Sequence, residues 1–154
     1  MKVVIVGCGG LGYVHAEAYA RKSGVTLVGV CDKDTAAADA AAQTFATKAF
    51  YSFEEMLAQT DCDVVSVTLP SYLHKAYTIQ AAQAGKHVIC EKPIALSLED
   101  AAEMIAACEA NNVKLFVGHV VRFFPEYAQL KEFIDNDSIG QVGTAHLKRA
   151  GNHP

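Results

Sequence analysis

The residues of this 154-residue chain best suited to chemistry are three glycines, an aspartate and a lysine that precedes a proline. Gly7, Gly9 and Gly12 form a Gly-x-Gly-x-x-Gly run, with Cys8, Gly10 and Leu11 filling it. Such a run seats a pyrophosphate. The first glycine makes a tight turn, the second lets backbone approach the phosphates, and the third lets helix and strand pack closely. Free N–H groups at the helix start then face the anion. Glycine clusters also occur in ordinary strand-to-helix turns, so context decides. Here the run follows the apolar strand Val3-Val4-Ile5-Val6, and Asp32 lies 20 positions beyond Gly12 at the tip of a second strand. A carboxylate there accepts from both adenosine ribose hydroxyls and repels a 2′-phosphate, favouring NAD over NADP. Lys33, its neighbour, works against that repulsion. Lys92, after the fifth strand, has the chemistry to polarise a carbonyl oxygen and steady a developing alkoxide. With a pKa lowered by burial it would also relay a proton. Hydride transfer needs a held nicotinamide, a substrate carbon in contact and a mobile proton, and these groups bear on the first and the last.

The elements that must position these groups follow from periodicity. Leu11, Val14, Ala18 and Tyr19 are spaced as one inward helical face after the glycine run, and His15 falls on it as a packed histidine. Apolar strands are expected at residues 25–31, 49–51, 63–69, 86–90 and 113–117. Between them lie an alanine-rich helix at 35–47, a helix capped by Ser52, a helix at 72–84 stopped by Gly85, and one opened by Ser97 and running to 111. That last helix is expected to bury Leu98, Ala101, Ala102, Ile105 and Cys108. Six strands alternating with helices predict an α/β, doubly wound parallel sheet of the Rossmann type, with all strand carboxyl ends at one ligand-binding edge.

Bulk properties narrow the function. Net charge is −4, hydrophobic residues make 51% and charged residues 19%, as in a soluble globular protein. Basic residues are scattered without a stripe of interleaved aromatics, so no nucleic-acid partner is expected. No run is long enough for a membrane span, and the chain enters a core strand at once, so no membrane association and no leader are expected. The five cysteines lack a Cys-x-x-Cys pair and the six histidines lack metal-ligand spacing. Reduced thiols, a cytoplasmic location and no metal are the expectation.

Past residue 119 the pattern changes. Pro125 opens a helix to 135 with Tyr127, Leu130 and Ile134 on its apolar side, and residues 144–149 read as a strand. Residues 1–119 are therefore expected to be an NAD(P)-binding domain and 120–154 the truncated start of a second, α+β domain. The alternative is that the late strand joins the edge of the first sheet.

Four stretches join the glycine loop and Asp32 in order: Leu69-Pro70-Ser71-Tyr72-Leu73-His74, residues 84–93 ending in Glu91-Lys92-Pro93, Gly118-His119-Val120-Val121-Arg122-Phe123-Phe124-Pro125, and Ile139-Gly140-Gln141-Val142. This set resembles the Gfo/Idh/MocA oxidoreductases. The resemblance implies an NAD(H)-dependent dehydrogenase or reductase of a polyol, sugar or related hydroxyl or keto substrate, with Lys92 contacting both the nicotinamide ribose and the substrate oxygen. It implies a cis Lys92–Pro93 bond, and a Glu91 that bonds the ribose or orients Lys92. It puts Leu69, Pro70 and Ser71 beneath the cofactor and His74 near its nicotinamide half, where a capping or packing role stands as an equal alternative. Family members are more than twice this length; their second half covers the nicotinamide, adds a carboxylate and a histidine, and carries the homo-oligomer contact. A non-catalytic NAD(P)-binding regulator of the same fold is the alternative function. A methyltransferase would share a glycine-rich loop and a strand-2 acid but not the third glycine, the six parallel strands or Glu91-Lys92-Pro93, and a FAD enzyme would share the glycine run alone.

Overall fold

The computed structural model describes residues 1–148, and the chain divides into two compact units after Gly118. In the first, six strands form one parallel sheet in the order β3-β2-β1-β4-β5-β6. They are β1 (Lys2–Val6), β2 (Thr26–Cys31), β3 (Ala49–Phe50), β4 (Val64–Val67), β5 (His87–Cys90) and β6 (Leu115–Val117). Helices α1 (Gly10–Arg21), α2 (Thr35–Thr44), α3 (Phe53–Gln59), α4 (His74–Gln83) and α5 (Leu98–Ala110) alternate with them. The doubly wound α/β sheet is as the apolar runs predict. The elements are shorter than expected at several ends: the alanine-rich helix stops at Thr44, and the helix after Pro70 begins as a 3-10 turn, Ser71–Leu73, before His74.

Register explains why the strand ends form one ledge. Val6 is level with Cys31 and Val67, Cys31 with Phe50, Val67 with Cys90, and Cys90 with Val117. The next residue on each strand therefore emerges at the same edge. Alternate side chains of β1 serve opposite faces. Val4 and Val6 join Val65, Val67, Val88, Met56 and Met104 in one buried cluster, and Ile5 joins Val30, Ala16, Ala41 and Ala42 in the other. Each fully buried valine, isoleucine or methionine side chain contributes about 1.5–3 kcal/mol.

Two expected helix faces are corrected. In α1, Leu11 and Val14 are 46% and 56% exposed and Ala18 is exposed; Gly12 and Ala16 are buried, with His15 and Tyr19 partly so. The helix lies so close to the sheet that only small residues fit beneath it. In α5, Leu98 is 85% and Ile105 45% exposed and Ala102 is exposed, while Met104 and Cys108 are buried. Capping follows expectation: the Ser52 hydroxyl accepts from Glu55 N and the Ser97 hydroxyl from Asp100 N.

The second unit begins at His119 and holds a 3-10 turn, Val120–Phe123, and helix α6 (Pro125–Asp135). Tyr127, Leu130, Phe133 and Ile134 of α6 are each about two-fifths exposed. Residues 144–148 form no strand; Arg149, the end of the expected one, lies outside the described residues. No helix among the described residues is long and apolar enough to cross a membrane.

Candidate cofactor cleft and lysine ledge

The glycine loop is built by close backbone approaches. Gly7 has φ +100°, and a Cβ there would lie 2.8 Å from the carbonyl of Thr68. Its N–H donates to Cys31 O at 2.8 Å. A Cβ on Gly12 would lie 1.9 Å from Gly7 O. The Thr68 hydroxyl, buried at the end of the central ladder, stands 3.0 Å from Val6 O and 2.8 Å from Gly7 O and fastens the turn. Gly9 and Gly10 differ: a Cβ on either would meet nothing within 4 Å. Gly9 is the N-cap of α1, and neither a side-chain cap nor an acidic first-turn residue occupies the helix start. Its first amides thus face open space with the positive end of the helix dipole behind them.

Asp32 follows β2 and is partly buried. Its Oδ2 accepts from Cys8 N at 2.7 Å and its Oδ1 from Asp34 N at 2.9 Å. The carboxylate thereby ties the glycine loop to the entry of α2 and keeps lone pairs for a further donor. Burial, with a smaller contribution from the Asp32 carboxylate, pushes the Cys8 thiol up to about 12.

A cleft of about 640 Å³ opens at this edge, where the strand order reverses between β1 and β4. Of the residues singled out from sequence, Gly7, Gly9, Gly10, Leu11, Asp32, Lys33, Leu69 and Pro70 line it. Cys8, Gly12, Ser71, His74, Glu91 and Lys92 do not. Thr68, Tyr51, Glu54, Tyr72, Leu73 and Tyr77, to which sequence reasoning gave no site role, are also among its lining residues. Their signal was positional: each follows a strand's carboxyl end or belongs to the helix after it. The Glu54 carboxyl is held below its usual range, chiefly by the Gln80 amide.

The Glu91–Lys92–Pro93 segment leaves the same ledge from β5. Strands lie about 4.8 Å apart, which puts its root about 10 Å along the edge from the glycine turn. Glu91 is only 5% exposed. Its Oε1 lies 3.0 Å from His15 Nε2 and its Oε2 accepts from Lys92 N at 3.1 Å. A Cβ on Gly118 would come within 3.0 Å of Oε1, so glycine there leaves room for the carboxylate. Lys92 is exposed, and its bond to Pro93 is cis. His74 is buried, 1% exposed, with Nδ1 2.8 Å from Pro93 O and Nε2 2.9 Å from Leu69 O. Of the two roles open for this histidine, packing describes its surroundings. No group of three or more His, Cys, Asp or Glu fit for a metal occurs among the described residues.

Comparison with known proteins fits this geometry. Residues 1–119 match the profile of a family described as "Oxidoreductase family, NAD-binding Rossmann fold". The chain is 40% identical over 100 residues to 2,7-anhydro-N-acetylneuraminate hydratase of Escherichia coli, covering 65% of this chain and 27% of that protein. It is 33% identical over 150 residues to an inositol 2-dehydrogenase of Salmonella paratyphi B, covering 95% of this chain and 45% of the relative. Among solved structures, the WlbA dehydrogenase of Chromobacterium violaceum, in complex with NADH and UDP-GlcNAcA, superposes with a TM-score of 0.87 at 35% identity. That match covers 91% of this chain and 41% of the other. The chain thus spans less than half the length of these relatives.

Proposed function

The chain belongs to the Gfo/Idh/MocA oxidoreductase family, and on that premise we propose that it is the cofactor-binding part of an NAD(H)-dependent oxidoreductase. The substrate in this reading is a polyol, sugar or related hydroxyl or keto compound, in keeping with relatives named for inositol and bound to a nucleotide sugar. The observation that carries the reading is the empty space over Gly9 and Gly10. The fold has no need of glycine at Gly9, where φ is −70° and nothing stands within 4 Å of a Cβ. A ligand lying against the backbone does need it.

The residues divide the work. The first amides of α1, at Gly10, Leu11 and Gly12, receive the diphosphate, with Gly7, Cys8 and Gly9 shaping the loop. Asp32 accepts from the adenosine ribose. Leu69, Pro70 and Ser71 form the turn beneath the nicotinamide half, and His74 holds that turn. The nicotinamide supplies the hydride acceptor or donor. Lys92 is placed to reach the substrate oxygen, where its ammonium would stabilise the negative charge that develops there. Glu91 orients Lys92 through its backbone N–H. Asp32 and Glu54 line the cleft with Lys33 as the single cation among its described lining residues, which disfavours an added phosphate and supports NAD over NADP.

Fluorescence titration of the chain with NADH and NADPH tests this. NADH is expected to bind at least tenfold more tightly, a difference of about 1.4 kcal/mol. Absence of NADH binding ends the reading, and tighter NADPH binding ends the cofactor preference. One relative's name favours a second outcome: a hydratase in the family means that the net reaction need not be an oxidation. Product formed without stoichiometric NADH accumulation in the full-length enzyme would select it.

A further inference from the structure

The segment that carries Lys92 is gripped on both sides by histidines to which the reading above gives no chemical step. On the N-terminal side a file of hydrogen bonds crosses from α1 to β5. The Tyr19 hydroxyl donates to Ser66 Oγ at 3.1 Å, Ser66 Oγ lies 2.8 Å from His15 Nδ1, and His15 Nε2 lies 3.0 Å from Glu91 Oε1. Glu91 Oε2 then accepts the Lys92 N–H at 3.1 Å. One arrangement of protons satisfies every group. With its proton on Nε2, the His15 ring donates to the carboxylate and accepts the Ser66 proton at Nδ1, and Ser66 accepts from Tyr19. All donors point the same way, ending on Glu91. Ser66 is fully buried, so the file is closed to bulk water at its centre. Burial also raises the Tyr19 phenol above its ordinary value, the Ser66 bond opposing and Glu91 adding, which keeps it a donor.

On the other side His74 spans Pro93 O and Leu69 O. Both are acceptors, so the ring donates to one when neutral and to both when doubly protonated. Protonated on Nδ1 it donates to the carbonyl one residue past Lys92, and protonated on both nitrogens it also ties that carbonyl to the turn that lines the cleft. A merely packed histidine needs some partner, not partners on this one segment. Here two histidines from different helices converge on Glu91 and Pro93, the neighbours of one exposed lysine. The Lys92 ammonium itself forms no ion pair among the described residues.

We propose that His15 and His74 are positioning residues that brace the Lys92 backbone from both flanks, leaving its side chain as the one free element of the segment. The importance of the brace rests on the proposed role of Lys92, but the brace itself is measurable without it.

The test is amide hydrogen exchange at Lys92 in the ¹⁵N-labelled chain, with Val4 in the central strand as the reference for global opening. His15→Ala is expected to speed Lys92 exchange about tenfold, the scale of one lost hydrogen bond, with Val4 unchanged. His15→Gln puts an amide donor near the Nε2 position and is expected to restore protection to within about threefold, whereas His15→Asn reaches only the Nδ1 position and is not. The Gln/Asn pair decides if the alanine variant fails to fold. His74→Ala is expected to speed Lys92 exchange as well, and His74→Asn, which keeps a donor toward Pro93 O, to recover part of the protection. Wild-type exchange at Lys92 in His15→Ala, or equal exchange in His15→Gln and His15→Asn, overturns the role of His15. Wild-type exchange in His74→Ala overturns that of His74. An NADH titration of the unmodified chain separates the two readings: failure to bind removes the cofactor assignment, while the exchange rates still judge the brace.

Discussion

Gly7, Gly9 and Gly12 are glycines for different reasons, and single methyl groups separate them. At Gly12 a Cβ would overlap the Gly7 carbonyl at 1.9 Å, so Gly12→Ala must displace α1 from the sheet. It is expected to cost about 1–3 kcal/mol or more in stability. At Gly9 a methyl group enters open space, so Gly9→Ala is expected to change stability by less than about 1 kcal/mol yet weaken NADH binding at least tenfold. Thermal melts paired with NADH titrations check both; a Gly9→Ala variant with native affinity removes the argument from open space. Cys8 gives a second prediction. A thiol raised from 9.0 to about 12 carries roughly a thousandfold less thiolate at pH 8, so Cys8 is expected to alkylate far more slowly than a free thiol despite its partial exposure. Asp32→Asn removes the second cause of the shift and is expected to speed the reaction, as mass spectrometry of iodoacetamide-treated protein would show. The identities of Asp32, Glu91, Lys92 and His74 stand out in the sequence; their orientations do not. Nothing in the spacing of residues says that the Glu91 carboxylate turns toward His15, because that partner lies 76 positions away.

Element type was legible and element facing was not. Apolar β-branched runs select strands, and Ser52, Ser97 and Gly85 mark helix ends, since those signals are local. The inward face of α5 is set by the neighbour it packs on. Nearly every position of Leu98–Ala110 that is not acidic is apolar, so periodicity has little contrast with which to choose a direction. Close approach to the sheet similarly reverses the expected rank in α1, where Gly12 and Ala16 go under and Leu11 and Val14 stay out. The corrected face of α5 is testable. Met104→Ala is expected to cost about 2–5 kcal/mol, and Leu98→Ala and Ile105→Ala under about 1 kcal/mol. Chemical denaturation measures all three; an Ile105→Ala cost matching that of Met104→Ala would restore the original face.

At the scale of the whole molecule, both buried clusters and the entire cleft belong to residues before His119. A chain ending at Gly118 is therefore expected to melt cooperatively and to bind NADH within about threefold of the 154-residue chain. Loss of cooperative unfolding on that truncation would show that the division after Gly118 is no folding boundary. The parallel, doubly wound sheet was foreseeable from the alternation of elements, while the late strand was not borne out at residues 144–148. Its apolar alternation is short, and a strand needs a partner that a local pattern does not supply. The central place of β1 carries a further consequence for biosynthesis. Its second neighbour, β4, ends at Val67, so one side of β1 has no mate until about sixty more residues have left the ribosome. At ordinary elongation speeds that interval is on the order of 3–12 s. Throughout it the unpaired side of β1 is a hydrophobic template open to other polypeptides.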